Sequence, residues 1–243
     1  MMSSIIAPRL TCKNAILASL PPAEIARLTP HLTPVELSLH ETLQEPNEEI
    51  THAYFLEGGL ASVVAEMSNG ATVETGITGK EGMVGFSLLL GGNRMPTRTF
   101  IQIPGMGYKI KAKRLKEEFE NSGALQRLTG SYIQAHMIQT AQTAACNRLH
   151  DIAERLARWL LACHDRMESN NFPITHEFLS QMLGTPRSTV TLAAGILQNA
   201  GLMEYSRGKV HIRDRQGLEK AACECYKNIR KEFERLGFSF LSQ

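Results

Sequence analysis

The sequence predicts an α+β protein in which an N-terminal antiparallel β-roll is joined by a long dimerisation helix to a C-terminal winged helix-turn-helix. Three observations carry this. Short β-rich runs punctuated by turns fill residues 35–110, and one helical run continues over residues 124–146. Residues 174–203 then read as helix, three-residue turn and helix, followed at once by a small basic hairpin. A chain of 243 residues is long enough for two units that each bury a core. The expected division is 1–32 as a helical flank, 33–120 as a β-roll, 121–147 as the dimerisation helix, and 148–243 as a winged-helix domain with an extra C-terminal helix.

In order along the chain, two short helices are expected over residues 14–20 and 23–29, with Pro22 opening the second and Pro30 stopping it. In the roll, Tyr54-Phe55-Leu56 precedes a Glu57-Gly58-Gly59 turn. The alternating runs 61–67 and 71–77 flank Ser68-Asn69-Gly70, and Asn-Gly between two such runs is a strong hairpin signal. Further strands are expected over 97–103 and 108–110, closing an antiparallel roll or barrel. The long helix spans on the order of 35 Å at 1.5 Å per residue, too long for a small roll to cover alone. Its stripe Leu125, Leu128, Tyr132, Ala135, Gln139, Gln142, Cys146 and Leu149 offers a dimer seam, though its polar and small middle could equally pack on the roll, and a second face through Ile133, Met137 and Ala144 competes with it.

Asp151 caps the next helix, with Glu154 as the reciprocal member of a capping box, which places a hinge at residues 147–150. Trp159 on that helix reads as core. In the helix pair, Thr175 is an N-cap and Gly184 supplies a left-handed corner. Thr185 and Pro186 then restart the chain as N-cap and first helical residue. Val190, Ala193, Ala194 and Leu197 form the inner face of the second helix. Its outer face carries Arg187, Ser188, Thr191 and Leu192 near the helix start, the layout that presents a helix to the DNA major groove. The hairpin over 202–212 forms the wing, with Arg207 and Lys209 at its tip placed for phosphate contact. A last helix, capped by Asp214, puts Leu218, Ala222, Cys225, Ile229, Phe233 and Leu236 on one face for docking on the winged helix.

Charge adds a modest bias. From Arg148 onward there are 14 Lys and Arg against 11 Asp and Glu, whereas the chain before it carries 12 against 13. The positive excess lies in the winged-helix half. The N-terminus has no basic leader with an apolar run and cleavage site, and no segment is long enough to span a bilayer. A cytoplasmic protein with no membrane partner is therefore expected. Five scattered cysteines, Cys12, Cys146, Cys163, Cys223 and Cys225, suit a reducing compartment. Cys223 and Cys225, two apart on an expected helix, should point to different faces, so no metal site is expected. Neither has a visible base or oxyanion partner, so the chain is not read as an enzyme.

Glycine spacing in Gly79-Lys80-Glu81-Gly82-Met83-Val84-Gly85-Phe86-Ser87, followed by a short apolar helix, either cradles a phosphate or serves tight turns between strands. This cassette completes a succession of roll, glycine-rich segment, long helix, capped hinge, helix-turn-helix and wing over residues 33–212. That succession resembles the Crp/Fnr family of bacterial transcription regulators. The family pattern appears without gaps as Ile174, Thr175, Leu179, Leu183, Gly184, Arg187, Thr189 and Val190. Leu149-His150-Asp151-Ile152 and Arg155-Leu156-Ala157 match the family's hinge and following helix.

The resemblance implies a homodimeric regulator with a cyclic-nucleotide-binding-like roll, bound to double-stranded operator DNA and able to meet RNA polymerase. By position, Arg187 is implied to pair with guanine, and Thr175 and Thr189 to contact phosphates. Ser188 stands where many relatives have Glu, while His176 and Leu192 stand where the catabolite-activator branch has Arg, so a different operator is implied. Phe86 replaces the ribose-binding Glu, and Thr97-Arg98 is offset from the cyclic-phosphate pair. The effector-pocket candidates Gly85, Phe86, Ser87, Thr97 and Arg98 therefore imply no cyclic AMP, no cofactor and an unknown effector. The alternative is a small-molecule binding or signalling module whose winged helix contacts protein.

Overall fold

The computed structural model describes residues 12–167, 169–206 and 208–240. Arg207 lies outside the described residues. Buried Asn14 caps α1 (Ala15–Ala18) through Leu17 N and donates to the carbonyls of Leu56 and Gly82 at 3.0 and 2.7 Å, which ties the flank to the roll. After α2 (Pro22–Leu28), the chain continues through Pro30 in a 3-10 turn over Thr29–His31. Eight strands follow: β1 (Thr33–Leu37), β2 (Thr42–Gln44), β3 (His52–Leu56), β4 (Leu60–Glu66), β5 (Thr72–Thr78), β6 (Met83–Val84), β7 (Arg98–Ile103) and β8 (Gly105–Lys111). They build two four-stranded antiparallel sheets, in the orders β1-β8-β3-β6 and β2-β7-β4-β5. The β4–β5 hairpin turns at Asn69-Gly70, where Gly70 takes φ +80°.

A helix absent from the sequence reading, α3 (Ala112–Glu120), leads into α4 (Gly123–Leu149), which is capped by Ser122. The capping box of Asp151 and Glu154 opens α5 (Ile152–His164) as expected, with His150 as the joint. The C-terminal unit continues with β9 (Asn171–Pro173), α6 (His176–Leu183), α7 (Arg187–Asn199), β10 (Met203–Ser206) and β11 (Lys209–Ile212), then α8 (Arg215–Ala221) and α9 (Glu224–Arg235). Its sheet has the order β10-β11-β9, so the wing carries a third strand that Pro173 disguised in the sequence.

The roll and the C-terminal unit share one core. Leu60, Val64, Ile77 and Phe100 of the roll cluster with Trp159, Leu160, Leu179 and Leu183. A second core gathers Phe55, Met83, Leu125, Tyr132 and Phe233. A Cβ on Gly82 would fall 2.0 Å from the Tyr132 ring, so that glycine lets α4 approach the cassette closely.

Three expectations change. The stripe through Leu125, Tyr132, Ala135, Gln139 and Cys146 is buried within the protomer, not a dimer seam, because the roll and α9 already cover it. Heptad-like spacing marks an apolar stripe but not its partner. The uncovered face carries Gly130, Gln134, Met137, Ile138 and Ala141, with Met137 66% exposed, and lies beside Leu90. The last helix is broken: Cys223 is extended (φ −64°, ψ 163°) and caps α9. Leu218 thereby stays in the winged-helix core, while Ile229 and Phe233 turn into the second core and α9 packs on α4. The N-cap of α7 is Pro186 (φ −56°, ψ 142°) rather than Thr185, a shift of one residue.

Candidate nucleic-acid interface

Thr175 opens α6 by accepting the Phe178 amide at 3.1 Å, which leaves its hydroxyl proton available on an exposed residue. Gly184 takes φ +58° at the corner between α6 and α7, and its Cβ position lies 3.1 Å from Val73, so the corner sits against β5. Val190, Ala193, Ala194 and Leu197 bury the inner face of α7. Arg187, Ser188, Thr191 and Leu192 stay exposed, Leu192 at 71%, and Thr189 is half-buried. The first turns of α7 thus offer a guanidinium, hydroxyls and a methyl-bearing side chain on one accessible surface. Those are the groups that read base edges and phosphates in a major groove.

His176 locks this surface rather than standing free on it. Its ring stacks on Tyr205 of β10 at 4.0 Å and 23°, and its Nδ1 meets Thr191 Oγ1 at 3.1 Å. Burial, together with the Arg187 charge, holds the His176 imidazole below the ordinary histidine range. Its own amide donates to Tyr205 Oη at 3.1 Å, so α6, α7 and the wing are fastened through one residue. The Ile174 amide donates to Gly208 O at 2.9 Å, which holds the wing beside the start of α6, and Lys209 is exposed there.

The effector-pocket candidates do not converge. Gly85 (φ +92°) starts a 3-10 turn, Phe86–Leu90, next to the β1-β8-β3-β6 sheet. The Phe86 ring lies 4.9 Å from His136 and 6.1 Å from Tyr132, so it fills the space between cassette and α4. Ser87 is buried with its hydroxyl unpartnered. Arg98 belongs to the other sheet, where it pairs with Glu66 at 2.7 Å and lies over Phe100, and half-buried Thr97 precedes it. Arg98 is therefore committed away from Gly85–Ser87.

Sequence reasoning missed a buried polar seam between roll and C-terminal unit. Trp159 Nε1 donates to Glu74 Oε1 at 2.7 Å, Ser62 Oγ donates to Glu74 Oε2 at 2.7 Å, and Arg166 pairs with Glu81 at 2.7 Å. His136, pushed down to about 4 by burial and then by Arg166, is neutral beside them. Nothing local to Glu74 in the sequence names Trp159, which lies 85 residues away, as its partner.

Burial pushes the Glu74 carboxyl from 4.5 up to about 7, against the opposing hydrogen bonds of Ser62 and Trp159 and the nearby Arg158 and Arg166. The folded state therefore holds this proton more tightly than the unfolded chain. The associated stability is complete below about pH 4.5 and is lost as pH rises through about 7. Relative to wild type, Glu74→Gln should thus gain thermal midpoint between about pH 5 and pH 8. Parallel melting curves of the two proteins across that range would refute the assignment.

The cysteine expectation also changes. Because Cys223 stands outside the helix that begins at Glu224, Cys223 and Cys225 no longer point apart. Their sulfurs gather with those of Cys146 and a ring nitrogen of His150, all within 4.8 Å of one another. Cys146 and His150, four apart at the end of α4, were the sequence clue.

A double-sheet roll, a long helix and a winged helix-turn-helix with an exposed first turn on α7 define the class: a two-unit winged-helix fold. Residues 154–221 match the Crp-like helix-turn-helix domain. FixK2 from Bradyrhizobium japonicum superposes with a TM-score of 0.68 at 16% identity, over 79% of this chain and 98% of that one. A CRP-family transcriptional regulator from Thermus thermophilus gives 0.66 at 18% identity, over 77% and 96%. The c-di-GMP responsive global regulator CLP of Xanthomonas campestris gives 0.64 at 17%, over 79% and 99%. No curated protein matches the chain in sequence. The chain carries a Crp-like helix-turn-helix domain within the overall fold of the Crp/Fnr transcriptional regulators.

Proposed function

We propose that this chain is a sequence-specific DNA-binding transcriptional regulator of the Crp/Fnr type, a non-enzymatic protein that acts on promoters in the cytoplasm. The observation that carries this reading is the exposed first turn of α7, with Arg187, Ser188, Thr191 and Leu192 held beside the wing inside the matched domain. Arg187 reads a guanine, Leu192 meets a thymine methyl, and Thr175, Thr189, Lys209 and Arg207 fix register on phosphates. Ser188 supplies an adaptable hydroxyl, and His176 sets the geometry between them. Two copies pair through the uncovered α4 face around Met137, which places two α7 helices in successive major grooves roughly 34 Å apart. No described helix is long and apolar enough to cross a membrane.

The signal enters through the roll and is not cyclic AMP. Phe86 packs against α4 and offers no acceptor to ribose hydroxyls, and Arg98 is held by Glu66. The effector-facing groups are those around Gly85–Ser87 rather than Thr97 and Arg98. Selection from genomic fragments, followed by titration at several salt concentrations, tests the whole reading. The expected result is a dimer on a two-fold related site, with affinity falling steeply as salt rises. Binding that is indifferent to sequence, or one protomer per site, would overturn it. Failure to bind DNA at all would favour a winged helix that contacts protein.

A further inference from the structure

At the joint between the long helix and the winged-helix unit, four soft or borderline ligand groups from two places in the chain meet at one point. Cys146 lies in the last turn of α4, His150 caps that helix, Cys223 caps α9, and Cys225 stands in the first turn of α9. The Cys146 and Cys223 sulfurs are 3.5 Å apart, and Cys225 Sγ is 3.5 Å from His150 Nδ1. A tetrahedral zinc centre with thiolates at 2.3 Å has ligand-to-ligand edges of about 3.7 Å. The observed pairs approach that edge without a disulfide, since all five cysteines are free.

The surroundings complete what such a centre needs. His150 Nε2, on the far side of the ring, lies 3.2 Å from Glu224 Oε2, the carboxylate–histidine arrangement that fixes the ring and leaves Nδ1 for a metal. Gln142 Nε2 donates to Cys225 Sγ at 3.1 Å. Arg158 is buried with its Nε unpartnered and its charge beside Cys146, and Arg155 adds a second cation near the same sulfur. Three thiolates around a divalent ion leave a net charge of −1, which these guanidinium groups offset. A hydrophobic packing role would require none of this, because buried apolar cysteines do not need adjacent cations.

We propose that Cys146, His150, Cys223 and Cys225 bind one zinc ion in a closed Cys3His site that clamps the α4–α5 joint to α9. All four tetrahedral positions come from the protein, so the site is structural rather than catalytic. It joins the end of the long helix to a segment more than seventy residues further on and sets the angle at which the reading unit leaves α4. The proposal is independent of which DNA sequence is read, and it stands even if the protein binds none.

The test is metal analysis of the full-length protein, purified with a reductant and without a metal-affinity step, together with cobalt(II) substitution. About one zinc per protomer is expected. The cobalt form should show thiolate charge-transfer bands and the intense ligand-field bands of a tetrahedral site. Cys225→Ser should lose the zinc and both sets of bands, whereas Cys12→Ser, far from the cluster, should keep them. If Cys225→Ser does not fold, titrating the wild type with a mercurial thiol reagent gives the answer, because zinc should leave in step with three thiols. Wild-type protein with reduced thiols, negligible zinc and no tetrahedral cobalt spectrum would overturn the proposal. So would zinc retained undiminished by folded Cys225→Ser.

Discussion

Replacing Arg187 with alanine is expected to weaken binding to the selected operator by roughly 5- to 150-fold, about 1–3 kcal/mol, while binding to unrelated DNA stays nearly unchanged. The loss should concentrate at a single guanine of each half-site. The reason is geometric. Arg187 is the first residue of α7 and exposed, and a planar fork with five donors matches the O6 and N7 acceptors of guanine. Lysine at this position keeps the charge but not the fork, so Arg187→Lys should recover only part of the discrimination at that guanine. Competition binding against operators changed one base at a time checks both. A uniform loss across all sequences would move Arg187 to the phosphate-contact group.

The second large effect concerns the seam between the units. Glu81→Ala should destabilise the protein by about 3–5 kcal/mol, measured by urea unfolding, because it strands a buried cation. Arg166 and Glu81 have side chains 2% exposed and meet at 2.7 Å. The guanidinium also donates to Ala162 O at 2.8 Å and lies over the Phe240 ring at 4.6 Å, so it cannot swing out to water without losing those contacts. Glu81 accepts the Gly79 amide at 3.1 Å, which makes the glycine-rich cassette the anchor of α5. Removing both charges as Glu81→Leu with Arg166→Met should recover much of the loss, since an apolar pair avoids the desolvation penalty. A single-variant loss under about 1 kcal/mol would mean the pair is solvated, as surface pairs are.

What could be read from the chain alone was whatever depends on neighbours in sequence. Asn69-Gly70 makes its own turn, Glu154 reaches back to Asp151, and Thr175 and Gly184 bracket α6 by backbone chemistry contained within a few residues. The exposed face of α7 followed for the same reason, because helical spacing alone separates Val190 and Leu197 from Arg187 and Leu192. What could not be read depends on distant partners. Which side of α4 is covered is decided by Phe233 and the roll, and the break at Cys223 by where Leu218 and Phe233 each find a core. Arg98 stayed among the pocket candidates because Glu66, on the neighbouring strand, was invisible as its partner. The cysteine cluster failed on one premise, an unbroken last helix.

Trp159 gives the seam one more property. It is the sole tryptophan of the chain, it is 1% exposed, and its ring is held between the Glu74 carboxyl and the edge of Phe178 at the meeting of roll and reading unit. The protein therefore carries its own optical gauge. Excited at the red edge of its absorption, where the five tyrosines do not absorb, this indole reports the polarity of that one junction, so any loosening of the contact between roll and C-terminal unit would change the colour of the native fluorescence.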